Sequence, residues 1–308
     1  MRIFSTVPTG LLLAITAGAS PVHAATDGLS ALFASGRPTY TLDIDNDSLL
    51  LNRADGLYTS GLRVSGNYRE RDGSGWRSAG WRFGQQIYTA KHAQLRPEQL
   101  GPRDHPYAGW LYGGLYYWIE RADGSDLTFG LDLGCFGPCA AGRQTQEFLH
   151  RLLSQPQPLG WAAQLSNEWG VVAQLGGRGP VIRLGRAADL RVGGVARVGN
   201  IFTDAAADLT LRIGATAAAD GSRLYGFLRG GMRAVVHAAS LQGGWFGGGE
   251  ARAVAPRRLT RELEAGLQWQ SGAWAVRASV VARGSEIRGV PDGRGGQEFV
   301  RLSISYSP

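Results

Sequence analysis

The residues with the clearest potential for chemistry are the adjacent pair Asn46 and Asp47 and, much later in the chain, His150. An amide oxygen beside a carboxylate offers the oxygen ligands that a hard cation such as calcium prefers. The same pair can also end a strand and begin a turn without binding anything. A histidine can take a proton from water near pH 7, because the ordinary pKa of this side chain is about 6.5. The sequence therefore offers a cation site and a general base, provided that the fold brings them together.

Other polar side chains are weaker candidates. Thr59 lies in a stretch where threonine can simply reflect β propensity. Lys91 and His92 fall in one predicted loop, and His105 and His237 are further bases that the sequence leaves open. No Gly-x-Ser-x-Gly or His-Glu-x-x-His motif occurs, and no Walker or dinucleotide glycine pattern follows a suitable strand. The usual signatures of soluble enzymes are therefore missing from this sequence.

Alternation of apolar and polar residues recurs along the chain and predicts strands with one lipid-facing side. Near the end of the chain, Val300, Leu302 and Ile304 alternate with Arg301 and Ser303. Twelve segments of this kind are predicted as strands: Thr39–Asp47, Tyr58–Tyr68, Ala79–Tyr88, Trp110–Glu120, Asp126–Gly134, Gln164–Leu175, Ala188–Asn200, Asp208–Ala215, Leu224–His237, Glu262–Gln270, Trp274–Arg283 and Phe299–Tyr306. The predicted fold is all-β, a transmembrane antiparallel β-barrel of about twelve strands.

The connections between the predicted strands fall into two classes. Even-numbered connections are turn-like, as at Asp72-Gly73, Gly176–Pro180 and Ser271-Gly272. The longest connections are odd-numbered: Thr89–Gly109, Cys135–Ala163, Leu241–Arg261 and Gly284–Glu298. Outer-membrane barrels have short periplasmic turns and long extracellular loops. We therefore expect the candidate groups to gather at the extracellular rim.

The beginning of the chain fits a secretory signal, with Arg2, the apolar stretch Leu11–Ala19 and a small-residue cleavage site ending at Ala24. The predicted organisation is a signal peptide over residues 1–24, an N-terminal periplasmic segment over 25–38 and the barrel over 39–308. No later run approaches the roughly 18 uninterrupted apolar residues of a membrane helix. Any spanning structure must therefore consist of strands.

The composition agrees with a barrel and adds one unusual feature. The chain has 46 glycines, 9 tryptophans and 10 tyrosines at a mean hydropathy of -0.14, which suits short strands with aromatic belts. Lys91 is the one lysine among 32 basic residues, so the rest are arginines. Arginine grips phosphate and carboxylate through a planar fork, which favours an anionic partner such as a phosphorylated lipid. A genome that favours arginine, together with charge ladders in the lumen, is the commoner explanation.

One loop has the composition of a helix. The stretch Gln144–Leu153 contains good helix formers, lacks glycine and proline, and predicts a short amphipathic helix on the extracellular rim. Cys135 and Cys139 begin the same loop. Export favours a small disulfide-closed turn there, with free thiols as the alternative. Their spacing is one residue too long for a thioredoxin-like site.

Several motifs occur together and in one order. They are Asn46-Asp47, Tyr58-Thr59-Ser60-Gly61, Gly84-Gln85-Gln86-Ile87-Tyr88-Thr89, Asp104-His105-Pro106-Tyr107-Ala108-Gly109-Trp110-Leu111, Gly137-Pro138, Gln146 with His150, and Gln164-Leu165-Ser166-Asn167-Glu168. As a set they resemble the lipid A 3′-O-deacylase family of outer-membrane enzymes. The resemblance implies a twelve-stranded barrel, which matches the strand count, and hydrolysis of the ester that holds the 3′ acyloxyacyl group of lipid A.

The resemblance also assigns roles to particular residues. It places the functional pair of the family on Asn46 and Asp47, its strand threonine on Thr59, its helical histidine on His150 and its loop lysine on Lys91. It implies a calcium-dependent reaction like that of a phospholipase, in which the histidine activates water. The ion, held near the Asn-Asp pair, would stabilise the developing oxyanion. Thr59 and Lys91 would orient the ester or hold a substrate phosphate.

Some expectations stay open at this point. Lys91 lies closer to the preceding strand than the family pattern suggests, and Arg96 is an alternative for the same role. The rival functions are a porin or binding barrel without catalysis, and another outer-membrane acyl hydrolase or acyltransferase. The expected partners are lipopolysaccharide and the outer membrane, with no nucleic acid. We expect a monomer whose active site is on the extracellular side.

Overall fold

The computed structural model describes residues 30–47, 58–215, 223–246 and 250–308. The predicted signal peptide and the start of the predicted periplasmic segment lie outside the described residues. Within these ranges thirteen strands are defined: β1 Arg37–Asn46, β2 Tyr58–Asp72, β3 Gly75–Tyr88, β4 Ala108–Glu120, β5 Asp126–Phe136, β6 Glu168–Arg178, β7 Ile182–Arg183, β8 Ala188–Gly199, β9 Phe202–Ala215, β10 Arg223–Ala238, β11 Leu259–Ser271, β12 Trp274–Arg283 and β13 Gln297–Tyr306.

The strands form one closed antiparallel ring. Apart from β7, each strand pairs with the strands before and after it, with β6 pairing with β8 and β1 with β13. The two-residue β7 pairs only with β8 and lies outside the ring, which leaves twelve strands in the described barrel. A closed ring leaves no unpaired edge, which is the condition for crossing a bilayer with strands. The predicted all-β barrel of about twelve strands is confirmed.

Alternation along the strands separates the two faces of the wall. Leu62 and Val64 on β2 are exposed on the outside, whereas Arg63 between them lines the lumen beside Asp43 of β1, 2.9 Å away. The apolar side chains point outward because a membrane barrel inverts the arrangement of a soluble protein. The outer face of the barrel therefore has the chemistry of a lipid boundary.

The lumen is lined by arginines that are paired with acidic residues around a cavity of about 670 Å³. The Glu264 side chain is 1% exposed, and its oxygens lie 2.8 Å from Arg229, 3.1 Å from Arg277 and 3.2 Å from Arg301. Ser279 Oγ donates a further hydrogen bond of 2.8 Å to the same carboxylate. Buried charges need partners of this kind. The high arginine content of the sequence is thus accounted for in part by ion-pair ladders inside the barrel.

At one end of the barrel an apolar cluster fills the space beside this charged cavity. Its buried members are Tyr88, Ala108, Trp110, Tyr112, Phe136, Leu165, Val172, Ile201, Phe202, Ala239, Val281 and Phe299. This is the end at which the long connections gather, namely residues 89–107, 137–167, 239–258 and 284–296. We call it the loop end, and we call the opposite end, with the connections at 73–74, 121–125 and 272–273, the turn end.

The helical segments are short and lie outside the strands. They comprise residues 30–35, Pro97–Gln99, Pro138–Ala140, Gly142–Leu152, Gly160–Ala163, Ala239–Gln242 and Asp292–Gly295. In the part of the chain that the structure describes, no helix is both long and apolar enough to span a membrane. Gly142–Leu152, called the loop helix below, agrees with the helix predicted at Gln144–Leu153.

Several element boundaries differ from the sequence prediction, most of all the start of β9, which lies at Phe202 where Asp208 was predicted. β6 begins at Glu168, because Leu165 is buried and donates its backbone N–H to Tyr107 O at 2.9 Å instead of joining the sheet. The turn predicted at Gly176–Pro180 is longer, since β6 continues to Arg178 and β7 forms a small hairpin with β8. β1 begins two residues before the predicted Thr39.

Candidate active site

The loop helix turns its polar side toward the barrel. Gly142, Gln146 and His150 are its buried residues, spaced four apart on one face. Gln146 is 2% exposed, and its side-chain oxygen accepts a hydrogen bond of 2.7 Å from Trp161 Nε1. Trp161 in turn packs with Ile87 of β3 in a small buried cluster. The helix is therefore held against the wall of the barrel through its polar face.

Close backbone approach fixes the start of this helix. Gln85 of β3 donates a hydrogen bond of 2.6 Å from Nε2 to Ala140 O, and Gly137 N donates to Gly109 O at 2.8 Å. A Cβ atom built on Gly109 would lie 2.9 Å from Ala140 Cβ and 3.4 Å from Gly142 N. Only glycine at the beginning of β4 allows the turn before the helix to lie this close to the wall.

A disulfide closes that same turn. Cys135, the second-last residue of β5, is bonded to Cys139 within the short helical turn Pro138–Ala140. Cys139 N also donates a hydrogen bond of 2.7 Å to Asn167 Oδ1. The bridge predicted as one of two alternatives is present, and it ties the loop helix to the end of a strand.

His150 lies on the last turn of the loop helix and is 6% exposed. Its Nδ1 lies 2.6 Å from Pro156 O. A carbonyl oxygen can only accept a hydrogen bond, so Nδ1 must carry the proton and donate. In the neutral imidazole this arrangement leaves Nε2 as the proton acceptor, which is the tautomer that a general base at Nε2 requires.

Asn46 and Asp47 are at the same end of the barrel as His150. Asn46 is the last residue of β1 and pairs with Ser60 of β2, which pairs with Ile87 of β3, which pairs with Gly109 of β4. At the usual spacing of neighbouring strands this row spans about 14 Å from Asn46 to the strand under the loop helix. Asp47 follows directly and is 2% exposed. The register thus brings the Asn-Asp pair and the loop helix to neighbouring parts of one rim.

Of the other predicted site residues, Thr59 lies at an irregular point of the barrel wall. Thr59 is the additional residue of a β-bulge between β2 and β3, since Tyr58 pairs with Tyr88 while Ser60 pairs with Ile87. Its side chain lies outside the described part of the structure. The bulge occurs next to Asn46, where it changes the direction in which the strand presents its side chains.

Lys91 joins the β3–β4 connection to the β12–β13 connection. Its Nζ donates a hydrogen bond of 3.2 Å to Arg294 O, in the connection that leads into β13. Arg96, the alternative for the same role, is exposed at the start of the Pro97–Gln99 turn. The contact of Lys91 thus lies near β13, the neighbour of β1. The helical turn after Arg96 is instead held by Arg252, which donates a hydrogen bond of 2.7 Å to Pro97 O.

The remaining histidines of the described residues are placed less favourably for catalysis. His105 is 1% exposed, is stacked on Tyr88 and has its Nδ1 2.8 Å from Pro106 O. Burial lowers the pKa of His105, so this side chain stays neutral within the apolar region. His237 is stacked on Trp245, and His92 is exposed to solvent. Of these bases, His150 alone combines burial against the wall with a position on the loop helix.

The donor atoms at the rim suit a hard cation in type. Asn46 supplies an amide oxygen and Asp47 a buried carboxylate, and calcium also takes backbone carbonyls and water. Within residues 30–47, 58–215, 223–246 and 250–308, no group of three or more His, Cys, Asp or Glu side chains is arranged to hold a metal. Calcium therefore remains a prediction, for which these two residues would provide only part of the ligand shell.

The loops at this end are tied to one another by a carboxylate to which the sequence analysis assigned no role. Glu168 at the start of β6 accepts hydrogen bonds from Asn200 Nδ2 at 2.6 Å, Trp245 N at 2.9 Å and Phe246 N at 2.9 Å. Glu250 Oε1 accepts another from Ser166 N at 2.8 Å. Hydrogen bonds to a charged acceptor are stronger than neutral ones. These contacts hold the β10–β11 connection against the loop that bears His150.

We expect Glu168→Ala to loosen that connection. Loss of a charged hydrogen-bond acceptor costs about 1.5 to 3 kcal/mol, so cleavage by trypsin at Arg252 should become roughly tenfold faster or more. The measurement is limited proteolysis of the folded, detergent-solubilised barrel. Glu98→Gln, on an exposed turn of the same end, should leave the cleavage rate unchanged. Equal protease resistance of Glu168→Ala and the unmodified chain would contradict the role given to Glu168.

These observations define the class of the protein: an outer-membrane β-barrel with a loop helix that buries a histidine and a glutamine against its wall. The sequence matches the family described as outer membrane protein LpxR over residues 11–307. The chain belongs to this family. No curated protein sequence matches the chain.

Solved structures show the same fold. LpxR from Salmonella typhimurium superposes with a TM-score of 0.71 at 19% identity, covering 88% of this chain and 100% of that one. The β domain of the Bordetella autotransporter BrkA superposes with a TM-score of 0.52 at 14% identity, covering 89% of this chain and 99% of that one. At these identities the likeness supports the barrel architecture, and it does not by itself assign any residue.

Proposed function

We propose that this protein is a lipid A 3′-O-deacylase, an ester hydrolase that removes the 3′-linked acyloxyacyl group of lipopolysaccharide in the outer membrane. Membership of the LpxR family supports a lipid A-modifying protein of the outer membrane. The observation that carries the catalytic part is His150, which is held on the loop helix with its Nδ1 proton donated to Pro156 O. A base with a fixed tautomer, placed between a loop helix and a lipid-facing wall, suits a reaction on a membrane ester.

In the proposed mechanism, His150 Nε2 takes a proton from a water molecule as the water oxygen attacks the ester carbonyl carbon. The bond between the carbonyl carbon and the 3′ oxygen of the sugar then breaks. The same proton passes from His150 to that leaving oxygen. The products are a free acyloxyacyl acid and a lipid A with a 3′ hydroxyl group, so that one water is consumed in each cycle.

The other residues would position and polarise the ester. Asn46 and Asp47 would hold a calcium ion, which when bound supplies positive charge for the developing oxyanion. Thr59 and Lys91 would orient the ester or hold a substrate phosphate, with Arg96 as the alternative cation. The contacts of Gln85 and Gly109 with the turn that leads into the loop helix would hold this helix, and with it the base, at the wall.

The proposal is tested by mass spectrometry of lipid A from a Gram-negative host that expresses the chain. We expect loss of the mass of one acyloxyacyl unit, together with the appearance of the free acid. An unchanged mass would favour a binding or porin-like barrel. A gain of one acyl chain would favour an acyltransferase, and release of fatty acid from phospholipid alone would favour a phospholipase.

A further inference from the structure

The outer face of the loop helix is apolar although it has no protein partner in the described structure. Phe148 is 57% exposed and Leu152 is 68% exposed, on the side of the helix opposite Gln146 and His150. Leu153, the residue that ends the helix, is 57% exposed. A helix that lies between protein and water normally does the reverse, with its apolar side on the protein and its polar side in water. The medium outside this helix is therefore expected to be apolar.

The barrel surface next to the apolar face of the loop helix indicates that the medium outside the helix is lipid. The outer wall of β5 and β6 exposes Leu133 and, on the paired strand, Val171. One row higher, Cys135 pairs with Trp169, whose side chain is 80% exposed. β5 runs from this wall through the disulfide turn directly into the loop helix. The apolar face of the helix therefore continues the surface that contacts lipid, and a separate soluble partner is not needed to explain it.

A third side of the helix carries positive charge. Arg143 and Arg151 lie along it, two helical turns apart, and Arg143 Nε is paired with Glu147 at 2.7 Å. They border a groove of about 400 Å³ whose other wall includes Leu159 and Trp161. A helix with arginines beside an apolar face is typical of segments that lie at the level of lipid phosphates.

We propose that the loop helix is an interfacial membrane element. Phe148, Leu152 and Leu153 insert among the acyl chains of the surrounding leaflet, and Arg143 and Arg151 lie at the level of the lipid phosphates. The groove that Arg143 and Arg151 border then opens at the side of the barrel, into the leaflet itself. In its catalytic consequence this inference rests on the proposed function: the ester would enter sideways from the membrane.

The placement of the helix is tested without reference to activity. Phe148→Cys, Leu152→Cys and the control Glu98→Cys are each labelled with an environment-sensitive fluorophore under non-reducing conditions, which leave the Cys135–Cys139 bridge intact. The full chain is reconstituted in vesicles of phosphatidylcholine and phosphatidylglycerol that contain nitroxide-labelled lipid. We expect quenching at positions 148 and 152 to exceed that at position 98 roughly threefold or more.

Equal quenching at all three positions overturns the proposal. The proposal is also overturned if, in detergent, the fluorophore at position 148 is shielded from solvent to a degree that grows with protein concentration. A second copy of the chain would then cover the apolar face of the helix. Because fluorescence quenching requires no catalysis, this result stands or falls independently of the deacylase assignment.

A kinetic comparison tests the consequence for the substrate. The ratio of the rate on lipopolysaccharide vesicles to the rate on a monomeric short-chain glucosamine ester is measured for Phe148→Ser/Leu152→Ser. We expect this ratio to fall about tenfold through a higher apparent KM. Phe246→Ser, which removes an 82% exposed aromatic ring from another loop, should keep the ratio of the unmodified chain. Equal ratios in both variants contradict sideways entry, whereas absence of all ester cleavage in the unmodified chain contradicts the proposed function instead.

Discussion

Replacing His150 with alanine is expected to lower the rate of lipid A deacylation by about 10²- to 10⁴-fold, because removal of a positioned general base forfeits a contribution of that size. The imidazole is presented to the barrel wall by the loop helix, and its tautomer is fixed by the hydrogen bond of 2.6 Å to Pro156 O. The measurement is the rate of acyloxyacyl release from purified lipopolysaccharide, with the variant reconstituted in the same detergent as the unmodified chain.

The control for His150→Ala is His92→Ala, which removes an exposed histidine from a neighbouring loop of the same end. His92→Ala should retain the rate of the unmodified chain within about twofold, since exposed substitutions of this kind rarely affect folding. Both variants should keep the mobility of a folded barrel in unboiled gel samples. A folded His150→Ala protein with full activity would remove the base from the mechanism.

The second large effect is expected at Asp47. Its carboxylate is 2% exposed at the end of β1. Asp47→Ala should lower kcat by about 10²- to 10³-fold, the usual cost of losing one group that stabilises an oxyanion. A calcium chelator should lower the rate of the unmodified chain to a similar degree, and added calcium should restore the unmodified chain but not the variant.

The matching control is Asp123→Asn, in a tight turn at the turn end of the barrel. That carboxylate accepts a hydrogen bond of 2.8 Å from Ser125 N and has no connection to the loop end. Asp123→Asn should respond to the chelator as the unmodified chain does. Activity of the unmodified chain that survives chelation would exclude the calcium assignment and leave Asp47 with a different role.

The strands could be predicted from the sequence because their cause is local. In a pleated strand, the side chain of Arg63 points to the face opposite to that of Leu62 and Val64. A shift of one residue in the strand register would place this charge in lipid, which is costly. Boundaries failed where a distant partner decided them. Leu165 alternates with its neighbours as a strand residue would, yet its backbone bonds Tyr107 in another loop.

The candidate site was predictable only in part, for a similar reason. Asn46, Asp47 and His150 have side chains whose chemistry can be named from the sequence. The group that fixes the histidine tautomer is a backbone carbonyl, at Pro156, and a carbonyl is present at every position of a chain. Glu168 stands at the end of one of the quoted motifs, but its role could not be named, because its three donors come from residues 200, 245 and 246, which only the closed barrel brings near.

The apolar cluster beside the lumen cavity has a consequence for permeation. Rings such as those of Phe136, Phe202 and Phe299 occupy the barrel at the loop end, directly beside the arginine-lined cavity. A hydrated ion entering from the turn end would meet the charged side chains of the cavity first and then these apolar rings, which cannot replace its water. In the described part of the barrel, these rings therefore oppose the passage of hydrated solutes through the loop end.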